Sequence, residues 1–142
     1  MRKIVITPVL FLLTGCFPVY KTLQPDVNFT VIDESQKPVT GAEVNLITSS
    51  YPYGFEKFRN KEITGNNGKA SFNSKNQMRV EILMPHGREF FFWNWCISKD
   101  GYETNSSSYG SGDDFLSNQI IILKKGVSSS CPAAPVYQHQ QR

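Results

Sequence analysis

Between Val27 and Lys124, apolar side chains recur at every second position in short runs, and turn-forming residues separate the runs at fairly regular spacing. Residues at i, i+2 and i+4 share a face only in an extended strand. No window of helical length carries a 3.6-residue period, so the pattern predicts an all-β sandwich or barrel. Val27, Phe29 and Val31 form the first run, and residues 33–38 turn the chain. Ala42, Val44 and Leu46 form the second, and Ile63 ends a less regular third. Gly65-Asn66-Asn67-Gly68 is a strong turn signal, since asparagine and glycine tolerate positive φ, and Ala70 and Phe72 start the next strand. Met78, Val80, Ile82 and Met84 give the cleanest alternation, stopped by Pro85-His86-Gly87. An aromatic-rich strand over 88–99 and a last one over 119–124 complete the set, with 105–114, rich in Ser and Gly, between them as an exposed loop.

The segment before Val27 has a different logic. Arg2 and Lys3 precede a mostly apolar run over 4–13, which is too short to span a bilayer as a helix and has the layout of a secretory signal. It closes on Leu13-Thr14-Gly15-Cys16, which resembles the lipobox of bacterial lipoproteins. The resemblance implies cleavage before Cys16, a diacylglycerol on its sulfur and acylation of the new N-terminus. Two or three acyl chains hold a protein firmly where one binds reversibly. Phe17 in place of an aspartate resembles the sorting pattern for the outer membrane in Gram-negative hosts. Residues 16–26, with Pro18 and Pro25 and no periodicity, suit a short tether from lipid to domain.

Removal of residues 1–15 from the 142-residue chain lowers its formal charge from +3 to +1. A nucleic-acid partner calls for clustered basic residues and is not expected. The remaining length suits one domain, and 13% aromatic content can fill a core. Residues 126–142, rich in Ser, Pro, Ala and Gln, are expected to be an irregular tail.

Within 27–125, three segments occur in a telling order: Val31-Ile32-Asp33 with Lys37-Pro38-Val39-Thr40-Gly41-Ala42-Glu43-Val44, then residues 64–72, then Lys99-Asp100-Gly101-Tyr102 ahead of the closing Ile120 to Leu123. This order resembles carboxypeptidase regulatory-like domains, and implies a single seven-stranded sandwich of the Ig-like, transthyretin-like type. Such domains accompany enzymes, receptors and surface proteins without performing chemistry, so the fold alone names no function.

Motifs for catalysis are sparse. His86 and Glu89 match a short H-x-x-E pattern, but a zinc site needs a third protein ligand, and the other histidine, His139, lies in the tail. Asp113 and Asp114 are too few for a calcium site and read as a solvated loop. No phosphate loop or G-x-S-x-G elbow is present. Neither a metal, a cofactor nor enzymatic activity is expected.

Aromatic residues carry the functional expectation. On the strand after Gly87, Phe91, Trp93, Trp95 and Ile97 share a face that should meet the core. Phe90 and Phe92 share the other face with Cys96 and need a cover. Tyr51, Tyr53, Phe55 and Phe58 fall in an insert over 49–60, where they either form a platform for a sugar or protein partner or cap the open end of the sandwich. Cys96 and Cys131 are an even pair once Cys16 carries lipid. In an oxidising compartment they are expected to bridge and pin the tail across Phe90 and Phe92, the alternative being two unpaired thiols. The chain thus reads as a lipid-anchored protein of the bacterial cell envelope, a non-catalytic binding or structural module for another envelope protein, or alternatively a module for cell-wall glycan such as peptidoglycan.

Overall fold

The computed structural model describes residues 16–52, 55–82, 88–109 and 111–132. The expected signal peptide, Tyr53, His86 and His139 lie outside these residues. The described chain is all-β, with nine strands: β1 Cys16–Gln24, β2 Val27–Asp33, β3 Glu43–Tyr51, β4 Phe55–Ile63, β5 Lys69–Phe72, β6 Lys75–Ile82, β7 Phe90–Ser98, β8 Asn105–Ser106 and β9 Asn118–Leu123. Among the described residues no helix is long and apolar enough to cross a membrane.

Two sheets, ordered β5-β2-β9 and β4-β3-β7-β8, pack in a sandwich-like arrangement, and β1 and β6 form a separate two-stranded ribbon. The alternation explains the packing. Val27, Phe29 and Val31 of β2, Ala70 and Phe72 of β5, and Ile121 and Leu123 of β9 point inward from one sheet. Val44 and Leu46 of β3 and Trp95 and Ile97 of β7 meet them from the other. Phe29 lies at the centre, edge-on to Phe72 at 5.9 Å and to Trp95 at 6.3 Å between ring centroids. β2 runs parallel to β9 and antiparallel to β5.

Turn chemistry sets the register of the first half. The Asp33 carboxylate accepts from the Ser35 and Lys37 amides at 2.8 and 2.9 Å. At the 65–68 turn only Gly68 has positive φ (70°), and a Cβ there would stand 2.5 Å from the Val31 carbonyl oxygen. Thr64, just before that turn, is buried. Its hydroxyl donates to the Val39 carbonyl at 2.6 Å and accepts from the Ala42 amide at 2.8 Å, joining the start of β3 to the end of β4.

Three expectations change. Residues 16–24, read as part of an irregular tether, form β1, paired with β6 from Cys16 opposite Ile82 to Gln24 opposite Lys75. Pro18 is tolerated because a two-stranded ribbon leaves one edge of each strand without a ladder. Of the aromatic insert at 49–60, residues 49–51 end β3 and 55–60 begin β4, and the two strands pair antiparallel. The Ser- and Gly-rich stretch at 105–114 contributes β8, which adds to the β7 edge opposite Cys96 and Ile97.

Candidate functional site: an aromatic cleft

The register of β3 against β7 brings Tyr51 opposite Phe90 at the end of the larger sheet. There the first residues of β7 and the 111–113 loop enclose an open cleft of about 470 Å³, lined by Tyr51, Phe90, Phe92, Trp93, Gly112 and Asp113 among others. Tyr51 and Phe90 are the accessible walls, 62% and 53% exposed. Gly112 lets the loop approach β7 closely: a Cβ would lie 3.1 Å from both the Phe91 carbonyl oxygen and the Trp93 ring.

Trp93 forms the fixed side of the cleft. Its indole N–H donates to the Leu23 carbonyl of β1 at 2.8 Å, and the Thr48 hydroxyl donates to the same oxygen at 3.0 Å. Phe115 packs edge-on against the Trp93 ring at 5.9 Å, and Tyr109 continues the stack at 6.1 Å. Asn94 holds the following segment, accepting from the Tyr109 amide and donating to the Tyr109 carbonyl.

Beneath the cleft a cluster of charges joins the ribbon to the sandwich. Lys57 of β4 pairs with Glu89 at 2.8 Å, Arg79 of β6 pairs with the other Glu89 oxygen, and Lys21 of β1 pairs with Glu81 at 3.0 Å while donating to the Glu89 carbonyl at 2.9 Å. Burial of Glu89 opposes its ionisation, but the Lys57 ammonium and Arg79 guanidinium on its two oxygens outweigh this and hold its carboxyl at about 2. Glu81 follows the same balance: burial raises it, and Lys21 and the Glu89 amide bring it below the usual carboxylate range. The cations also cover aromatic faces, Lys21 over Phe90 at 5.2 Å and Arg79 over Phe91 at 5.2 Å. Glu89, half of the H-x-x-E pattern, is thus engaged by two cations.

In comparisons with known proteins, no family model, no characterised protein and no solved structure matches this chain.

The other residues singled out from the sequence are distributed as follows. Cys16 is exposed, unbonded and the first residue of β1. Cys96 and Cys131 form a disulfide with a Cα–Cα distance of 5.8 Å. Among the described residues the bridged tail, through Pro132, does not cover Phe90 and Phe92 as expected. It lies at the far end of β7, where Asn45 reaches the Cys131 sulfur at 3.6 Å, Arg59 donates to the Pro132 carbonyl at 2.7 Å and Thr104 exchanges hydrogen bonds with Ser129. Six residues of strand, about 20 Å, separate Cys96 from Phe90, so the pinned segment is out of reach. Of the expected inward pair on β7, Trp95 is buried and Trp93 half-buried against the edge of the core.

Of the four aromatics of the 49–60 insert, Tyr51, Phe55 and Phe58 are described and Tyr53 is not. Tyr51 joins the cleft, whereas Phe55 pairs with Ser50 of β3 and Phe58 lies under the Lys75 ammonium at 5.4 Å. Asp113, read from the sequence as solvated loop, lines the cleft. Its role depends on the return of the 111–113 loop to β7, for which the sequence signal is Gly112. Stacked rings beside a carboxylate can hold a flat, partly apolar ligand and accept hydrogen bonds from its hydroxyl or amide groups.

Proposed function

We propose that this chain is a bacterial envelope lipoprotein, anchored through lipid on Cys16, whose sandwich domain acts without catalysis as a binding module. The observation that carries the binding reading is the open aromatic cleft, where Tyr51 and Phe90 stay accessible beside Asp113 although neighbouring rings are packed. The seven-stranded, transthyretin-like reading of the domain draws support from the sheet orders: with the β1–β6 ribbon set aside, three strands remain in one sheet and four in the other. The ribbon is then an addition to that unit.

The occupant favoured here is a side chain or short segment of another envelope protein. The second reading, a cell-wall glycan, is favoured by the presence of the accessible Tyr51 ring and the Asp113 carboxylate on the same cleft, since rings stack on sugar faces while carboxylates accept from hydroxyls. A photoreactive residue in place of Tyr51, activated in living cells, tests the first: a discrete protein adduct, lost on Phe90→Ala, supports it. Co-sedimentation with purified sacculi, abolished by Tyr51→Ala, supports the second. Absence of both sinks the cleft as a binding site. The anchor is tested separately: Cys16→Ser should abolish palmitate labelling and partitioning into the detergent-rich phase, and unchanged partitioning overturns the lipoprotein reading.

A further inference from the structure

The β1–β6 ribbon is built inside out. Cross-strand pairs Cys16–Ile82, Pro18–Val80 and Tyr20–Met78 occupy one face, and Phe17–Glu81, Val19–Arg79 and Lys21–Gln77 occupy the other. The first face is apolar and open to solvent, with Tyr20 69%, Met78 65%, Val80 70% and Ile82 48% exposed. The second carries the charges and turns them toward the sandwich, where Glu89 and Lys57 meet them. A surface strand in water ordinarily places its charges outward and its apolar residues inward. A contiguous apolar patch of this kind marks an interaction surface.

We infer that the outer face of the ribbon, Pro18, Tyr20, Met78, Val80 and Ile82, docks on the lipid bilayer that holds Cys16. The inference rests on the lipoprotein reading, and its geometry follows from where the anchor falls. Cys16 is the first residue of β1 and stands directly opposite Ile82, so no spacer separates the acyl chains from the ribbon. Pro18 and Tyr20 follow on the same face as Cys16, and at about 3.3 Å per residue Tyr20 is about 13 Å from the anchor. A ribbon tied to lipid at its tip, apolar on the tip's own face, has the membrane interface as the nearest apolar phase. Tyrosine is favoured at headgroup depth, where its ring is in apolar surroundings and its hydroxyl is wet. The inward charges leave this face without a cation or carboxylate to desolvate on contact.

The test uses the full lipidated chain reconstituted in phosphatidylethanolamine–phosphatidylglycerol vesicles, with and without brominated acyl chains. A tryptophan reporter is placed at Val80 or Tyr20 on the ribbon, or at Ile120 on the outer face of β9, which is 71% exposed. After subtraction of the wild-type signal from Trp93 and Trp95, Val80→Trp and Tyr20→Trp should lose emission in brominated vesicles while Ile120→Trp does not. Co-flotation of protein with vesicles, lost in Cys16→Ser, establishes the anchor in the same samples. Anchored protein in which the ribbon reporters are quenched no more than Ile120→Trp overturns the docking and leaves the lipoprotein reading standing. Unquenched but blue-shifted ribbon reporters, with a dimer in sedimentation of detergent-solubilised protein, also overturn it in favour of a second copy on this face. Failure of the wild-type chain to float removes the anchor and the docking together.

Discussion

Strands β2 and β6 both alternate apolar and polar residues with period two, yet they resolve the alternation in opposite directions. In β2, Val27, Phe29 and Val31 are wholly buried and the intervening residues face outward or sit in contact with neighbours. In β6, Met78, Val80 and Ile82 face solvent while Arg79 and Glu81 turn inward. Periodicity divides a strand into two faces without saying which one meets the protein. For β2 the choice is made by two apolar sheets that bury the same face. For β6 it is made by Glu89, whose backbone and side chain collect Lys21, Lys57 and Arg79 from three different strands.

The largest expected effect lies on the β2 side of this comparison. Phe29 contacts rings from β5 and β7, so Phe29→Ala removes the central contact between the sheets and should cost about 3–5 kcal/mol. Urea denaturation of lipid-free protein reads this directly. A cost near that of a surface change would show that the two sheets are not held by this core.

The disulfide should rank next. It closes a loop that includes β8 and β9, so it restricts a large part of the unfolded chain rather than a loose end alone. Cys131→Ser should lower stability by about 2–4 kcal/mol under non-reducing conditions, the range expected for loops of this size. Because the bridge sits at the end of β7 remote from the cleft, the same variant should leave ligand or partner binding at Tyr51 unchanged. Loss of binding would tie the tail to the cleft.

Legibility in the sequence tracked how much of each element's environment was local. β2, β5 and β9 were plain because one apolar face is followed by a turn signal, as in Ile121 and Leu123 before residues 124–126. β1 was not, because Phe17, Val19 and Leu23 share one face while Pro18 and Tyr20 occupy the other, which cancels any alternation of polarity. β4 was legible at its end, Ile63, but not in its extent, because Glu56, Lys57, Arg59, Lys61 and Glu62 dilute its apolar residues; its partner β3 defines it. Of the candidate site, Tyr51 was visible as a ring without an assigned core position, and Phe90 and Phe92 as rings without cover. That these meet depends on the Tyr51–Phe90 register, which arises from long-range pairing.

The charge cluster predicts a smaller, pH-dependent effect confined to the ribbon. The Glu89 carboxyl is held at about 2, below its unfolded range near 4.3, so its contribution is complete above the unfolded value and is lost as pH falls toward 2. The shift sets an upper bound of about 3 kcal/mol, reduced by the partial exposure of Lys57 and Arg79. Hydrogen exchange as pH is lowered from 5 to 2, corrected for intrinsic rates, should show β1 and β6 amides losing protection before those of β2 and β9. Glu89→Gln should reduce the pH dependence to the part carried by Glu81 and leave the ribbon less protected throughout. Simultaneous loss in all strands would mean that the ribbon does not open independently of the sandwich.

The smallest effect discriminates most sharply between the two strands, because it applies one substitution to both. Val31 of β2 is wholly buried and Val80 of β6 is open to water. Val31→Ser places a hydroxyl in the core and removes apolar volume there, whereas Val80→Ser exchanges one exposed side chain for another. In lipid-free Cys16→Ser protein, Val80→Ser should therefore change stability by no more than about 0.5 kcal/mol, the ordinary range for surface positions. Val31→Ser should cost several-fold more, in the range of core truncations with an added polar group. Equal costs at the two sites would mean that the outer face of the ribbon is already covered by the protein itself in water. Membrane docking would then have no free surface to use. A negligible cost at Val80 in solution, together with reduced quenching of the Tyr20→Trp reporter when Val80→Ser is added in anchored protein, would place the role of that alternation outside the fold and at the bilayer.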